Sequence, residues 1–268
     1  GTCAAGAGDY ILNGGGGEAT LNGSVGTDTA QYFNSSVNYT ILRDGNVAVI
    51  QDLLGNDGID AVIDVEVLSF TDLNIETSQI DQFSSLEYIA TYSALTSVLG
   101  ASKVGGLSHF LMFGQNEGRT VTFNSLEYLA SHEDLFNIFG FDEDGAAAHF
   151  IEFGLQENRD VTFDALEYLA SHRDLYDVFG ADKDAGALHF LQTGRAEGRS
   201  VTFDGLEYLA SHRDLYESFG LNTDAATIHF LEVGYDEGRS VDFDGLAYLA
   251  SYRELYDAFG LDEEAATI

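Results

Sequence analysis

The apolar positions in the second two-thirds of the chain recur at one fixed interval. Phe83, Phe123, Phe163, Phe203 and Phe243 lie forty positions apart, and so do Tyr88, Tyr128, Tyr168, Tyr208 and Tyr248. His109, His149, His189 and His229 keep the same spacing, each followed by phenylalanine, and Gly100, Gly140, Gly180, Gly220 and Gly260 close the set. No insertion interrupts the pattern, which is the signature of a tandem repeat. In the copy at residues 201–240, Asp204 and Glu207 have capping-box spacing, as do Ser84/Glu87, Asn124/Glu127 and Asp164/Glu167, while the fifth copy has Asp244/Ala247. A second box is read at Ser211/Asp214, with Ser131/Asp134, Ser171/Asp174 and Ser251/Glu254 as its equivalents. A third helix is predicted to start near Thr223 or Asp224, with Ala226, Phe230 and Val233 on one face. Gly220 and Gly234 read as helix stops. Each copy is therefore two or three short helices, and short helices need neighbours to cover their apolar faces. The expected result is an all-α tandem-repeat array of copies at 81–120, 121–160, 161–200 and 201–240, with a truncated copy at 241–268.

Residues 1–80 have a different pattern. Alternating and β-branched runs at 29–33, 37–42, 47–51 and 65–70 read as strands. Arg43-Asp44-Gly45-Asn46 reads as a hairpin turn with Asp-Gly at its core. These define a small β module at 31–80. The segment before it, residues 1–30, is rich in glycine. Gly8, Gly17 and Gly26 fall nine apart, and so do Leu12, Leu21 and Ala30. The fold class expected from the whole chain is α+β and multidomain, with a small N-terminal β region followed by the helical array.

The segments GAGDYILNG and GGGGEATLNG resemble the nonapeptide G-G-x-G-x-D-x-U-x of the RTX (repeats-in-toxin) family. That resemblance implies a parallel β-roll in which glycines take the turns, the apolar residue points inward and the aspartate offers oxygen to calcium. The aspartate slot here holds Tyr10, Ala19 and Asp28, and Asp9 sits one place early. The calcium candidates are therefore Gly8, Asp9, Gly17, Gly26 and Asp28, as weak or partly lost sites. The stretch GTDTAQYFNSSVNYTILRDGNVAVIQD, followed by GNDGIDAVIDVEVLSFTD, is similar to a module that follows RTX repeats, including in the C-terminal parts of serralysin-type proteases. The helical copies look like the YLAS..DL…FG…HF…EGR repeats of large secreted bacterial proteins. Together the resemblances imply a secreted, extracellular or cell-surface location and export by a type I-like route.

Charge and chemistry narrow the partners. The net charge is −34, from 45 acidic and 11 basic residues, which opposes binding to nucleic acid or to an anionic membrane surface. No apolar run is long enough for membrane insertion, and the single cysteine, Cys3, allows no internal disulfide. The seven histidines fall at two repeat slots without HExxH or i, i+4 pairing, so structural hydrogen bonds are expected of them. The arginines of the recurring Glu-Gly-Arg turn, Arg119, Arg199 and Arg239, are expected to pair with carboxylates or to cap backbone carbonyls between copies; Asn158 replaces glycine in the remaining copy. No nucleophile elbow or phosphate loop is present, so no catalysis is expected. The function expected is a structural or adhesive segment of a secreted, calcium-associated protein. Its partners would be other domains of the same chain, further copies of itself or cell-surface glycans. An accessory C-terminal region of a secreted hydrolase, and a repeating subunit of a surface layer, filament or virion, are the alternatives.

Overall fold

A computed structural model describes the whole chain apart from the side chains of residues 263 and 266. The fold is α+β, with two small sheets followed by helices. The chain divides into two compact parts, residues 1–123 with 147–158, and residues 124–146 with 159–268.

The first part begins as a flattened coil. Strands β1 (Thr2–Ala4), β2 (Ile11–Leu12), β3 (Thr20–Asn22) and β4 (Thr29–Gln31) alternate between the two sheets. Strands one turn apart pair in parallel, Thr2 with Thr20 and Ile11 with Thr29, so two nine-residue segments make each turn. Leu12, Leu21 and Ala30 are buried between the sheets, as their nine-residue spacing requires. Strands β5 (Tyr39–Asp44) and β6 (Val47–Asp52) then form an antiparallel hairpin. Strand β7 (Ile59–Ile63) lies between β3, which it meets in parallel, and β6. Strands β8 (Val67–Ser69) and β9 (Asn74–Glu76) complete the second sheet, in the order β2-β4-β8-β9. Tyr32, Tyr39 and Phe70 close the core, with ring centroids 5.1 to 5.4 Å apart.

Three sequence expectations are corrected here. Residues 36–38 form a 3₁₀ turn, so the second predicted strand starts only at Tyr39. Asp44 pairs with Val47, which leaves Gly45-Asn46 as the hairpin loop instead of Asp-Gly. Gly45, at φ 62°, takes the first loop position that only glycine fills easily. Strand β7 was not foreseen, because Asp60 breaks its apolar run. That carboxylate is buried and accepts an amide of the neighbouring coil.

Three helices follow in each copy. In the first they are α1 (Ser85–Thr91), α2 (Ser93–Leu99) and α3 (Lys103–His109). Leu107 and Leu111 bury α3 and its continuation against Val47, Val49 and Ala61 of the first sheet. The pattern recurs as α4 (Ser125–Ser131), α5 (Glu133–Phe139) and α6 (Glu143–His149). Next come α7 (Ala165–Ser171), α8 (Arg173–Phe179) and α9 (Lys183–His189), then α10 (Gly205–Ser211), α11 (Arg213–Phe219) and α12 (Thr223–His229). The last are α13 (Gly245–Ser251), α14 (Arg253–Phe259) and α15 (Glu263–Thr267). In the second part, α7 packs on α9 of its own copy and on α12 of the next, and α10 packs likewise on α12 and α15. The first helices α7 and α10 thus find part of their cover in the following copy.

The third helices of the first four copies run on into a wider π-helical stretch, Phe110–Gly114, Phe150–Gly154, Phe190–Gly194 and Phe230–Gly234. The Tyr235 N–H, for example, donates to Phe230 O, five residues back, at 2.9 Å. The widening shifts the buried face. Val233, expected inside by helical spacing, is exposed, and Leu231 is buried instead. Gly234 is not a left-handed stop either; a methyl group there would collide with the Tyr208 hydroxyl. Gly220, at φ 63°, is the helix stop expected.

Candidate functional site

The predicted calcium residues lie on successive turns of the coil. Gly8, Gly17 and Gly26 all take positive φ, at 126°, 93° and 150°, which matches their turn role. The carboxylates serve the backbone. Asp9 Oδ1 accepts the Thr27 N–H at 2.8 Å, and Asp28 Oδ1 accepts the Tyr10 N–H at 2.9 Å. The Asp28 N–H in turn donates to Glu66 Oε2 at 2.7 Å. Asp60 Oδ1 accepts the Ala19 N–H at 2.8 Å, and burial pushes its carboxyl up to about 6 against the pull of that hydrogen bond. A carboxylate one turn away thus satisfies the strand-leading amides of Tyr10 and Ala19, whose own side chains carry no carboxylate. Asp28 Oδ2 is left buried without a partner. Calcium takes six to eight oxygens. Among the described residues no group of three His, Cys, Asp or Glu is placed to hold a metal ion. Among the described residues Asp28 Oδ2 is the buried carboxylate oxygen left open to a cation.

The recurring side chains of the helical copies build a second network. Asn124, Asp164, Asp204 and Asp244 each cap a first helix, accepting the amide three residues on at 2.7 to 2.9 Å. Ser84 makes no such bond; there the buried Asp44 of the β hairpin accepts the Ser85 N–H at 2.9 Å. The glutamate of the box does not turn back on its own cap. Glu127 Oε1 accepts the Ala165 N–H at 2.8 Å, Glu167 Oε1 the Gly205 N–H at 2.7 Å and Glu207 Oε1 the Gly245 N–H at 3.0 Å. Each reaches the first amide of the next copy's first helix. Burial raises Glu127 and Glu167 to about 7, opposed by these same hydrogen bonds.

The second predicted box is also corrected. Ser131, Ser171 and Ser211 end the first helix, and the residue after each is the cap. Ser171 Oγ donates to Glu167 O and accepts the Thr202 and Phe203 N–H groups at 2.8 and 2.9 Å. The acidic residues of that box hold the arginines instead. Asp174 pairs with both nitrogens of Arg199 at 2.8 and 3.0 Å, and Asp214 with those of Arg239 at 2.9 and 3.1 Å. Asp134 and Arg159 are 2.8 Å apart, in the copy where Asn158 takes the glycine position at φ 53°.

No family model, curated protein or solved structure matches the chain.

The histidines divide by slot. His172 and His212 donate from Nε2 to Ser200 O and Ser240 O at 3.1 and 2.9 Å. In the first copy Tyr92 does the same through its hydroxyl, to Thr120 O at 2.9 Å. Tyrosine and histidine thus make the same bond from one slot, while His132 Nε2 is buried without a partner. At the other slot Nδ1 of His109, His189 and His229 is hydrogen-bonded with the hydroxyls of Tyr88, Tyr168 and Tyr208 at 2.9 to 3.1 Å. These tyrosines are fully buried, and burial pushes Tyr168 and Tyr208 up to about 12. A phenol so raised and shut from solvent is a poor proton donor. It is well suited to holding a packed helix pair.

Proposed function

We propose that the chain is a non-catalytic structural or adhesive segment of a large secreted, calcium-associated bacterial surface protein. In this reading the helical copies stack as a tandem array that continues from a β-roll remnant. One observation carries it: apart from His132, whose Nε2 is buried without a partner, the polar side chains that recur from copy to copy are engaged by the chain itself. Caps hold helix starts, glutamates and serines reach the next copy, arginines hold aspartates, and histidines hold carbonyls or buried tyrosines. Such engagement suits a scaffold, because a catalytic group must be left free to meet a substrate. Half-exposed Tyr216 offers an aromatic face of the kind a surface glycan stacks on. Calcium, which the RTX resemblance implies, would act through Asp28 Oδ2.

Antibodies raised against residues 81–268 test the location in the producing cells. Labelling of intact cells or of the medium supports the reading, and labelling only after lysis overturns it. Thermal melting with calcium and with chelator tests the metal, and unchanged melting of the β region would remove calcium from the account.

A further inference from the structure

The first residue of the third helix varies between copies, as Lys103, Glu143, Lys183 and Thr223. Where it is lysine, an ammonium sits among carboxylates. Lys103 Nζ lies 2.8 Å from Asp44. Lys183 Nζ donates to Asp224 at 2.9 Å and is held electrostatically by Glu127 and Asp164 as well. Burial works against the Lys183 charge, yet its pKa is raised on balance by those three acids. A cation at a helix start also opposes the helix dipole, so the carboxylates are what hold it.

One copy further along, the same arrangement recurs without the lysine. Glu127, Asp164 and Asp224 become Glu167, Asp204 and Glu264, and Lys183 becomes Thr223. Those four residues line one cavity of about 350 Å³, with Leu206 and Thr267 completing its wall. The acids that attract an ammonium in one junction, Asp224 by direct contact, therefore line open space in the next. The acids alone do not make a metal cage, since no three described His, Cys, Asp or Glu residues are placed to hold a metal ion. The filled junction shows what the arrangement accepts: a primary ammonium on an aliphatic stem.

We propose that the cavity between Glu167, Asp204, Thr223 and Glu264 binds a primary alkylammonium ion in the position that Lys183 Nζ occupies one copy earlier. The ion donates hydrogen bonds to the carboxylates, and its stem lies against Leu206 and Thr267. Two sources share this chemistry, a free diamine and the lysine side chain of a peptide.

The test is a titration of the intact chain at pH 8 followed by amide chemical shifts. The probes are 1,4-diaminobutane and N-acetyllysine amide, with tetramethylammonium at equal ionic strength as control. Saturable shifts at Gly205 and Thr223 are expected with at least one amine, and the tighter one identifies the source. Thr223→Lys, which copies the Lys183 junction, should weaken that binding at least tenfold while leaving helix content unchanged. Lys183→Thr should open a second site, with new shifts at Ala165. Equal shifts in the wild type and in Thr223→Lys, or shifts matched by tetramethylammonium, would overturn the proposal. So would a response to calcium that Thr223→Lys abolishes while neither amine binds.

Discussion

Glu127 gives the most informative perturbation, because it couples two copies through one buried carboxylate. It is 6% exposed, accepts the Ala165 N–H and faces Lys183, Asp164 and Asp224. Burial raises it from 4.5 to about 7, and Asp164 and Asp224 add to the rise while the Ala165 amide and Lys183 oppose it. A folded-state pKa above the unfolded one means the folded chain binds the proton more tightly. The stabilisation is then complete below the unfolded pKa and is lost as pH rises through the folded value, here between about 4.5 and 7. At about 1.4 kcal/mol per pKa unit, the ionised carboxylate costs on the order of 3 kcal/mol at pH 8. Glu127→Gln keeps an oxygen for the Ala165 amide and removes the charge. It should lie within about 1 kcal/mol of the wild type at pH 5 and exceed it by about 3 kcal/mol at pH 8. Urea unfolding of both proteins from pH 5 to 8, followed by circular dichroism, measures the difference, and pH effects of the remaining charges cancel in it. Parallel pH profiles, or a Gln variant less stable at pH 8, would refute the reasoning.

Other substitutions probe single links. Gly234→Ala should destabilise by about 1 to 3 kcal/mol through overpacking against Tyr208, and adding Tyr208→Phe should restore part of the loss in thermal melts. Ser171→Ala leaves the Thr202 and Phe203 amides without their acceptor and should cost about 2 kcal/mol in urea unfolding. His212→Tyr should be tolerated, because Tyr92 makes the same carbonyl bond in the first copy. His212→Leu should lower the melting temperature clearly, and equal effects of the two substitutions would remove the hydrogen bond from the explanation.

The sequence showed the helices better than the bonds that join them. The regular spacing of the copies placed their helices and the buried tyrosines and phenylalanines, since those depend on local periodicity. Ser171-x-x-Asp174 looked like a capping box, but its partners lie far along the chain. The serine reaches the amides of Thr202 and Phe203, and the aspartate reaches Arg199. Local spacing cannot register such contacts. Val233 lies off its expected face because a π-helical stretch changes the number of residues per turn. In the β coil the nine-residue spacing showed the turns and inward positions. It could not show that Asp28 and Asp60 serve the amides of Tyr10 and Ala19 in another turn.

Stacked, interchangeable copies are the centre of the account, and in-register deletion of residues 161–200 tests them most directly. The deletion joins Glu127 to Gly205 in the place of Ala165, and Ser131 to the Thr202 and Phe203 amides. The account predicts a folded chain with helical signal per residue unchanged, cooperative urea unfolding and a stability lowered by one copy and its junction. A chain that loses most of its helical signal, or unfolds without cooperativity, would contradict it.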